Sequence, residues 1–422
     1  MQLRIRPASG TLKRRLLWLV LVLVLLLAVM AVIWRFWPKR TDIPDIQFGL
    51  PDFPTDQSDL YDTYGDMTAA LRDRAELRLA DGLVWYEWYQ QAGPLRQPPA
   101  QRSDSALLPD QLLYGQLLLE QKDRRDFTDW WEAFSTQWLE SGGSRFPLSG
   151  DSRWLPAEQQ QVLQLLGQSM TLWPDAGRLD ALQALSDQLL ADYDGKLPSG
   201  LPVAVPSPLP APDPAATPTP RPTATPTPDP TVPILTVVRL ADLDLLALTD
   251  LIQIDEKWQP LRDEALRVIQ DGYAGDELPL FALAWSADDR QYVLFSGDQP
   301  YLELEPSLRA MIHLAEIGQL PERCLSWLKD QLYNRGALYM AYHSVQGDPA
   351  VEGERPLIYA LAARLALTAD DPVLYNLAVD RLLSYRATSQ TSDVRSAIFR
   401  IEPDALVRVW SVDNLMALLV LR

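Results

Sequence analysis

The sequence predicts an all-α fold built from helical hairpins, preceded by an N-terminal membrane-spanning helix. Apolar residues recur at three- and four-residue spacing along most of the chain, and acidic residues stand at several segment starts, as is common at helix N-termini. The uncharged run from Leu16 to Trp34 predicts the membrane helix. Strand patterns are thin and favour at most one hairpin, from residues 280–285 and 291–295.

The N-terminal run has the length and charge pattern of a membrane anchor. Five basic residues precede it and three follow it, a bias that predicts a cytoplasmic N-terminus and an extracytoplasmic main domain. A cleaved signal peptide is the alternative, but the run is too long and no convincing small-x-small site follows. We therefore assign a cytoplasmic basic tail to 1–15, a transmembrane anchor to 16–37 and a juxtamembrane linker to 38–55.

Helical periodicity appears in twelve segments, on both sides of a proline-rich stretch. Five segments precede it, at 71–82, 109–121, 126–141, 156–170 and 178–193. Seven follow it, at 240–254, 260–273, 306–318, 321–333, 356–368, 371–385 and 411–421. Helices in consecutive pairs are typical of an open array of hairpins and of a closed ring, and the periodicity alone does not separate the two.

The stretch between these two groups, residues 198–233, contains fourteen of the 35 prolines. It includes ATPTPRPTATPTPDPT, which is poor in backbone donors and apolar side chains. Such a segment is expected to be extended, solvated and disordered. It either links two domains or forms a long insertion within one.

Composition restricts the chemistry. The formal charge of -18 argues against binding to nucleic-acid phosphates. A single cysteine, Cys324, excludes an intramolecular disulfide and a cysteine-based metal cluster. Only two histidines, His313 and His343, disfavour a histidine-rich metal site and a Ser-His-Asp triad. Catalysis, if present, is therefore expected to use carboxylates, with no cofactor and no metal.

Several segments resemble motifs of glycoside hydrolase family 8, in the right order. The stretch ADLDLLALTDLIQIDEKWQPLRDEALRVI (241–269) resembles the family's Asp-x-Asp-Leu run followed by an apolar helix and a Trp. PDQLLYG (109–115) resembles its Ser-Glu-Gly-Gln-x-Tyr-Gly helix start. Weaker similarity extends to LADGLVW (79–85), DFTDWWEAF (126–134), QPYLELEP (299–306) and SVDNLMALLVL (411–421).

This resemblance implies an (α/α)6 toroid of helical hairpins over residues 56–422, with 198–233 as an insertion. It also implies inverting hydrolysis of a β-linked polysaccharide such as a β-glucan. Asp110 stands in the place of the family's catalytic Glu, which implies that it is the acid. Pro356 falls at the place where the family has the Asp that acts as the general base. The nearest carboxylates, Glu352 and Glu354, therefore become candidates for the base, and we select Glu354.

Six further residues are candidates for substrate binding. The motifs point to two acids and two tyrosines, and the aromatic run VWYEWYQ suggests a sugar-stacking platform. They are Asp242, Asp244, Tyr114, Tyr301, Trp85 and Trp88.

Each candidate also has a structural interpretation. Asp110, in the first turn of a helix, would interact favourably with the exposed N–H groups there, by about 0.3–1 kcal/mol. The other acids could be solvated residues of helix starts or loops, and the aromatic rings could pack in the core. His313 and Cys324 are interpreted as packing residues.

Three functional hypotheses follow. The first is an anchored, extracytoplasmic polysaccharide hydrolase. The second is an inactive toroid that binds polysaccharide or assists its secretion, in contact with polysaccharide-synthesis machinery. The third is a helical-hairpin scaffold for protein partners, which would not require a closed ring.

Overall fold

The computed structural model places much of the chain after residue 45. It describes residues 44, 46–50, 64–76, 79–80, 83–91, 99–103, 105–147, 154–198, 202–204, 234–294, 301–344, 347–351, 353–389, 392–402 and 406–421, together with Trp18, Val20 and Leu23. The chain divides into two compact units, Met1–Pro44 and Asp45–Arg422.

The first unit contains the predicted anchor at 16–37, most of which lies outside the described residues. The three anchor residues that are described, Trp18, Val20 and Leu23, are helical and exposed. Across the described ranges, no helix combines the length and apolar character needed to cross a membrane.

The second unit has twelve helices in its described part. They are α1 (Gly65–Glu76), α2 (Leu108–Glu120), α3 (Arg124–Trp138), α4 (Pro156–Leu172), α5 (Ala176–Tyr193), α6 (Leu245–Leu251), α7 (Trp258–Asp271), α8 (Leu304–Glu316), α9 (Glu322–Arg335), α10 (Pro356–Thr368), α11 (Pro372–Leu383) and α12 (Ser411–Val420). All twelve overlap the segments predicted from periodicity.

The even-numbered helices form a closed inner ring. Helices α2, α4, α6, α8, α10 and α12 each contact the next, and α12 returns to contact α2. Outside this ring, α3 packs on α2, α5 on α4, α7 on α6, α11 on α10 and α1 on α12, while α9 packs beside α11. The mostly helical toroid is therefore confirmed. The closure excludes an open array of hairpins, the arrangement that a scaffold for protein partners was expected to have.

Sequence patterns explain which helices lie inside. The inner helix α10, PLIYALAARLALT, is surrounded by neighbours and buries every residue except Thr368. The outer helix α7, WQPLRDEALRVIQD, buries one stripe with helical spacing, formed by Trp258, Leu261, Ala265, Val268 and Ile269. A helix that is apolar on all sides needs neighbours on all sides, whereas one stripe needs a single partner surface.

Short strands join the ends of the helices, so the prediction of a purely helical fold is only partly correct. The strands are β1 (Leu79–Ala80), β2 (Leu83–Val84), β3 (Glu87–Gln91), β4 (Gln101–Arg102), β5 (Pro202–Ala204), β6 (Ile234–Thr236), β7 (Val238–Arg239), β8 (Ala284–Ser286), β9 (Gln291–Val293), β10 (Tyr301–Glu303), β11 (Ala341–His343), β12 (Pro349–Val351), β13 (Arg400–Ile401) and β14 (Leu406–Trp410). Strands of two to five residues are too short to give a clear alternating pattern. The predicted hairpin is present as β8 and β9.

The largest described sheet connects the two ends of the toroid. Its strand order is β13-β14-β3-β4, and all its pairs are antiparallel. Trp410, at the end of β14, pairs with Glu87 at the start of β3. This pairing places residues from both ends of the domain beside the first turn of α12.

Strand β5 lies near the start of the predicted disordered stretch 198–233, and β6 follows directly after its end; the two strands pair with each other, with Val203 opposite Leu235. The chain therefore leaves and re-enters the domain at one place. Residues 205–233, the bulk of the predicted disordered insertion, lie outside the described residues.

Part of the predicted linker belongs to the toroid. Phe48 is buried against Gly167, and its N–H donates to the Thr171 hydroxyl at 2.9 Å. The Gly49 N–H donates to the Asp250 carboxylate at 2.8 Å. These contacts place the start of the domain before residue 56, the boundary that the sequence suggested. The apolar residues of this short segment, among them Ile46 and Phe48, have no helical spacing and were assigned to a linker, so the sequence did not predict this docking.

We expect Gly115→Ala to destabilise the domain by about 1–3 kcal/mol, because overpacking a close-packed core costs that much. A Cβ atom at Gly115 of α2 would lie only 2.3 Å from the buried ring of Trp130 on α3. Chemical denaturation measures the change in free energy of unfolding. Gly65→Ala is the control, since nothing lies within 4 Å of its Cβ position. Equal stability of Gly115→Ala and Gly65→Ala would contradict this packing.

Candidate active site

A large cavity opens where four inner helices begin. Its volume is about 1180 Å³, and its lining includes the first turns of α2, α8, α10 and α12. The sheet that joins the chain ends supplies another wall through Arg400, Arg408 and Trp410. Carboxyl groups at the starts of different inner helices therefore face one shared space. The acids that line it are Asp110, Glu305, Glu354, Glu402 and Asp413.

Asp110 lies in the first turn of α2, after Pro109, and is only 2% exposed. Its Oδ2 atom is buried and has no hydrogen-bond partner among the described residues. Burial raises the pKa of Asp110 to about 7, and the negative charge of Asp413 adds to the rise. The residue before α2, Leu107, offers no side-chain cap. A buried carboxyl with a raised pKa, facing a cavity, is suited to proton donation.

Asp413 is the second buried carboxyl of the cavity, in the first turn of α12. Burial raises the pKa of Asp413 to about 6, while the positive charges of Arg400 and Arg355 oppose the rise. Its Oδ2 lies 3.2 Å from the Arg400 Nε. In the sequence, Asp413 stood out only as part of the closing apolar helix. The available clue was its position, since Asp413 opens an apolar helix as Asp110 does.

Glu354 lines the same cavity, but its carboxylate is occupied by neighbours. The Arg381 guanidinium donates to both of its oxygens, at 2.9 and 2.8 Å, and the Tyr359 hydroxyl donates to Oε2. The Tyr385 hydroxyl lies 3.4 Å from the same oxygen. Both carboxylate oxygens of Glu354 are therefore already engaged by protein donors. The other base candidate, Glu352, lies outside the described residues.

Arginines accompany the remaining cavity acids. Arg309 pairs with Glu305 at 3.3 Å, and Arg400 lies 3.7 Å from Glu402. Arg408 points its guanidinium at Glu87, 3.1 Å away. The cavity is therefore strongly polar, with charges of both signs.

The aromatic side chains of the cavity are not the predicted ones. Tyr86, Tyr385, Phe399 and Trp410 line it, and the rings of Tyr86 and Trp410 meet edge to face at 4.8 Å. Trp85 instead stacks under the Arg102 guanidinium, at 4.5 Å. Trp88 packs against the small apolar cluster around Ala387 and Val409. Trp85 and Trp88 therefore lie outside the lining of the large cavity, and β3 begins only at Glu87, after Trp85.

The other predicted substrate-binding residues lie elsewhere. Asp242 is buried in the turn before α6, and Tyr114 is buried within α2. Tyr301 lines a side cavity of about 230 Å³, which shares Glu305, Met340 and Arg355 with the large one.

Asp244 caps α6 by accepting the Ala247 N–H at 2.9 Å. It lines a cavity of about 170 Å³ inside the ring of helices, together with His313 and Glu316. The ligand atoms of these three side chains lie within 4.8 Å of one another, a spacing that could hold a metal ion. No metal was expected from the sequence, because the chain has only two histidines and one cysteine, and nothing in the sequence shows that Asp244 and His313 meet in the fold.

Comparison with known proteins supports the fold. No family profile and no curated protein matches the sequence. A structure described as a novel alpha-amylase from Clostridium perfringens matches with a TM-score of 0.64 and 18% identity, covering 84% of this chain and 97% of that one. A cold-adapted family 8 xylanase matches at 0.51 with 9% identity, covering 90% of this chain and 96% of that one.

A family 8 xylobiose complex from Teredinibacter turnerae matches at 0.50 with 14% identity, covering 87% of this chain and 96% of that one. At these identities the similarity concerns the fold alone. The chain has the α/α-toroid fold of the family 8 glycoside hydrolases.

Proposed function

We propose that the chain is a polysaccharide hydrolase that inverts configuration, with Asp110 as the general acid and Asp413 as the general base. The observation that carries this proposal is the pair of buried carboxyl groups in one large polar cavity, at the starts of α2 and α12. Inverting enzymes use two such carboxyls, about 6.5–9.5 Å apart, on opposite sides of the scissile bond. Asp413 replaces Glu354 as our candidate for the base, because the carboxylate of Glu354 is held by Arg381 and Tyr359.

The pKa order of the two groups suits these roles. Between a pKa of about 6 for Asp413 and about 7 for Asp110, the first is mostly ionised and the second mostly protonated. The Asp110 proton passes to the glycosidic oxygen as the bond to the anomeric carbon breaks. Asp413 accepts a proton from the water whose oxygen bonds to that carbon. Exchange with solvent then returns the proton to Asp110 and removes it from Asp413.

A β-linked polysaccharide is our first candidate substrate. The fold is shared with a family 8 xylanase, and the rings of Tyr86 and Trp410 give the cavity apolar surface that a sugar face can contact. An α-glucan is the second candidate, because the alpha-amylase from Clostridium perfringens has a higher TM-score than the xylanase. The four cavity-lining arginines, Arg309, Arg355, Arg400 and Arg408, offer donors for sugar hydroxyls in either case.

We further propose that residues 16–37 anchor the enzyme in the membrane, with the toroid outside the cytoplasm. The apolar run and the flanking charge bias support this arrangement. An anchored hydrolase in this location could act on a polysaccharide beside its synthesis machinery.

One experiment tests activity and anchoring together. Cells expressing the full chain or residues 41–422 are fractionated, and each fraction is assayed for reducing ends released from soluble β-glucan, xylan and starch. We expect the full chain's activity in the membrane fraction, and soluble activity for residues 41–422. Absence of release from every substrate, with retained polysaccharide binding, would favour an inactive binding toroid. Activity of the full chain in the soluble fraction would contradict the membrane anchor but not the hydrolase function.

A further inference from the structure

The cluster of Asp244, His313 and Glu316 inside the ring has no role in the proposed hydrolysis. His313 and Glu316 lie one turn apart near the end of α8, and Asp244 lies at the start of α6. The His313 Nδ1 is 3.6 Å from the Glu316 Oε2 and 4.0 Å from the Asp244 Oδ1. Two inner helices therefore direct three potential ligands at one point in the cavity of about 170 Å³ inside the ring.

The position of the imidazole proton can be read from its partners. The Nε2 atom lies 3.2 Å from the carbonyl oxygen of Ala241. A carbonyl only accepts, so Nε2 donates, and the neutral ring then carries its lone pair on Nδ1. That Nδ1 atom is buried and makes no hydrogen bond to any described residue. A lone pair and two carboxyl groups thus converge, an arrangement that a cation would stabilise.

The cation could be a proton on Nδ1 or a metal ion, and the distances favour the metal. A charged imidazole bonded to a carboxylate draws it to about 2.7–2.9 Å, shorter than either separation here. Ligands bound to zinc at about 2.0–2.2 Å in tetrahedral geometry lie roughly 3.3–3.6 Å apart. The separation of His313 from Glu316 is 3.6 Å, whereas Asp244, at 4.0 Å from His313, would have to move slightly inward.

The surroundings resemble the outer shell of a metal site. The Ala241 carbonyl orients the imidazole, and the Ala247 N–H holds the Asp244 Oδ1 at 2.9 Å. The two arginines that line the same cavity pair with other acids, Arg309 with Glu305 and Arg364 with Glu120. The cavity of about 170 Å³ has room for a water as an additional ligand.

We propose that Asp244, His313 and Glu316 bind one divalent transition-metal ion, with Zn²⁺ as the preferred ion. Imidazole and carboxylate are ligands that Zn²⁺ accepts, whereas Mg²⁺ and Ca²⁺ prefer oxygen alone. The site ties the start of α6 to the end of α8 within the inner ring. This proposal does not rest on the hydrolase function.

Metal binding tests the proposal with a control supplied by the chain itself, which has only two histidines. The full chain, stripped with a chelator, is titrated with Zn²⁺ and, separately, with Co²⁺. Wild type and His343→Ala are expected to bind one equivalent of Zn²⁺, and to give the visible absorption of Co²⁺ with nitrogen and oxygen ligands. His313→Ala is expected to bind Zn²⁺ at least about 100-fold more weakly and to lose the Co²⁺ spectrum.

A thermal measurement gives a second readout. At a Zn²⁺ concentration near 100 times Kd, the Tm of wild type should rise by about 3 °C, and that of His313→Ala should not change. Should His313→Ala fail to fold, Glu316→Gln keeps the imidazole and is expected to weaken binding too. No Zn²⁺ bound by wild type, or equal binding by wild type and His313→Ala, would overturn the proposal.

Discussion

Replacing Asp110 by Asn is expected to lower kcat/KM for polysaccharide hydrolysis by about 10²–10⁴-fold, the usual contribution of a general acid. The amide keeps the size of the side chain but has no proton of suitable acidity for the leaving oxygen. Initial rates of reducing-end release measure the loss. Asp126→Asn is the matched control, because Asp126 also lies in the first turn of a helix, α3, but is exposed. Full activity in Asp110→Asn would show that Asp110 is not the general acid and serves only as a residue of the first turn of α2.

The same substitution has a distinct effect on stability, and its sign follows from the raised pKa. Because the folded-state pKa of about 7 exceeds the ordinary value of 3.8, the folded protein holds this proton more tightly than the unfolded chain. The stabilisation is therefore complete below about pH 4 and is lost as the pH rises through 7. Between pH 4 and 8, wild type should lose roughly 4 kcal/mol of unfolding free energy that Asp110→Asn does not lose.

Denaturation curves of both proteins at several pH values measure this difference. Parallel stability profiles would show that Asp110 is ionised in the folded protein at ordinary acidic pH, which a proton donor cannot be. A buried carboxyl kept for catalysis thus has a measurable cost in stability at alkaline pH.

The second large effect is expected for Asp413→Asn. If Asp413 is the base, the substitution should reduce kcat/KM by about 10²–10⁴-fold as well. The charge of Asp413 also raises the pKa of Asp110. Removing that charge should lower the pKa of Asp110, so the alkaline limb of the remaining activity should shift to lower pH. In wild type we expect a bell-shaped profile with limbs near pH 6 and 7, whose apparent values belong to the coupled pair.

The pH–rate profile separates this role from a merely electrostatic one. If Asp413 only raised the pKa of Asp110, Asp413→Asn would shift the alkaline limb but keep nearly full activity at its pH optimum. Glu402→Gln is the control, since Glu402 also lies close to Arg400, at 3.7 Å, and its loss frees the same guanidinium. A comparable loss in Glu402→Gln would assign the effect to Arg400 and would remove Asp413 as the base.

Local periodicity was sufficient to predict the helices. The bounds of α10 match the predicted segment 356–368, because an apolar stretch that begins at Pro356 has an unambiguous start. Ring closure depends on contacts such as α12 with α2, between residues some 300 positions apart, and periodicity contains no information about them. The family resemblance, not the pattern, supplied the expectation of a toroid.

The candidate site was predicted less well, and the reasons are specific. Asp110 could be singled out because a motif surrounds it. Asp413 could not, since its partner carboxyl stands 303 positions away and only the closed ring brings them to one cavity. Glu354 looked available because the sequence does not show that Arg381 and Tyr359 reach it. His313 looked like a packing residue because Asp244 is a neighbour only in the folded ring.

The most direct test of the hydrolase proposal is a ¹H NMR time course of wild type and Asp110→Asn with a soluble β-linked polysaccharide. We expect wild type to release new reducing ends that appear first as the α-anomer, and Asp110→Asn to release almost none at equal protein concentration. New ends that appear first as the β-anomer would contradict the pairing of Asp110 with a water-activating Asp413. No new ends from wild type, with starch giving none either, would contradict hydrolysis itself.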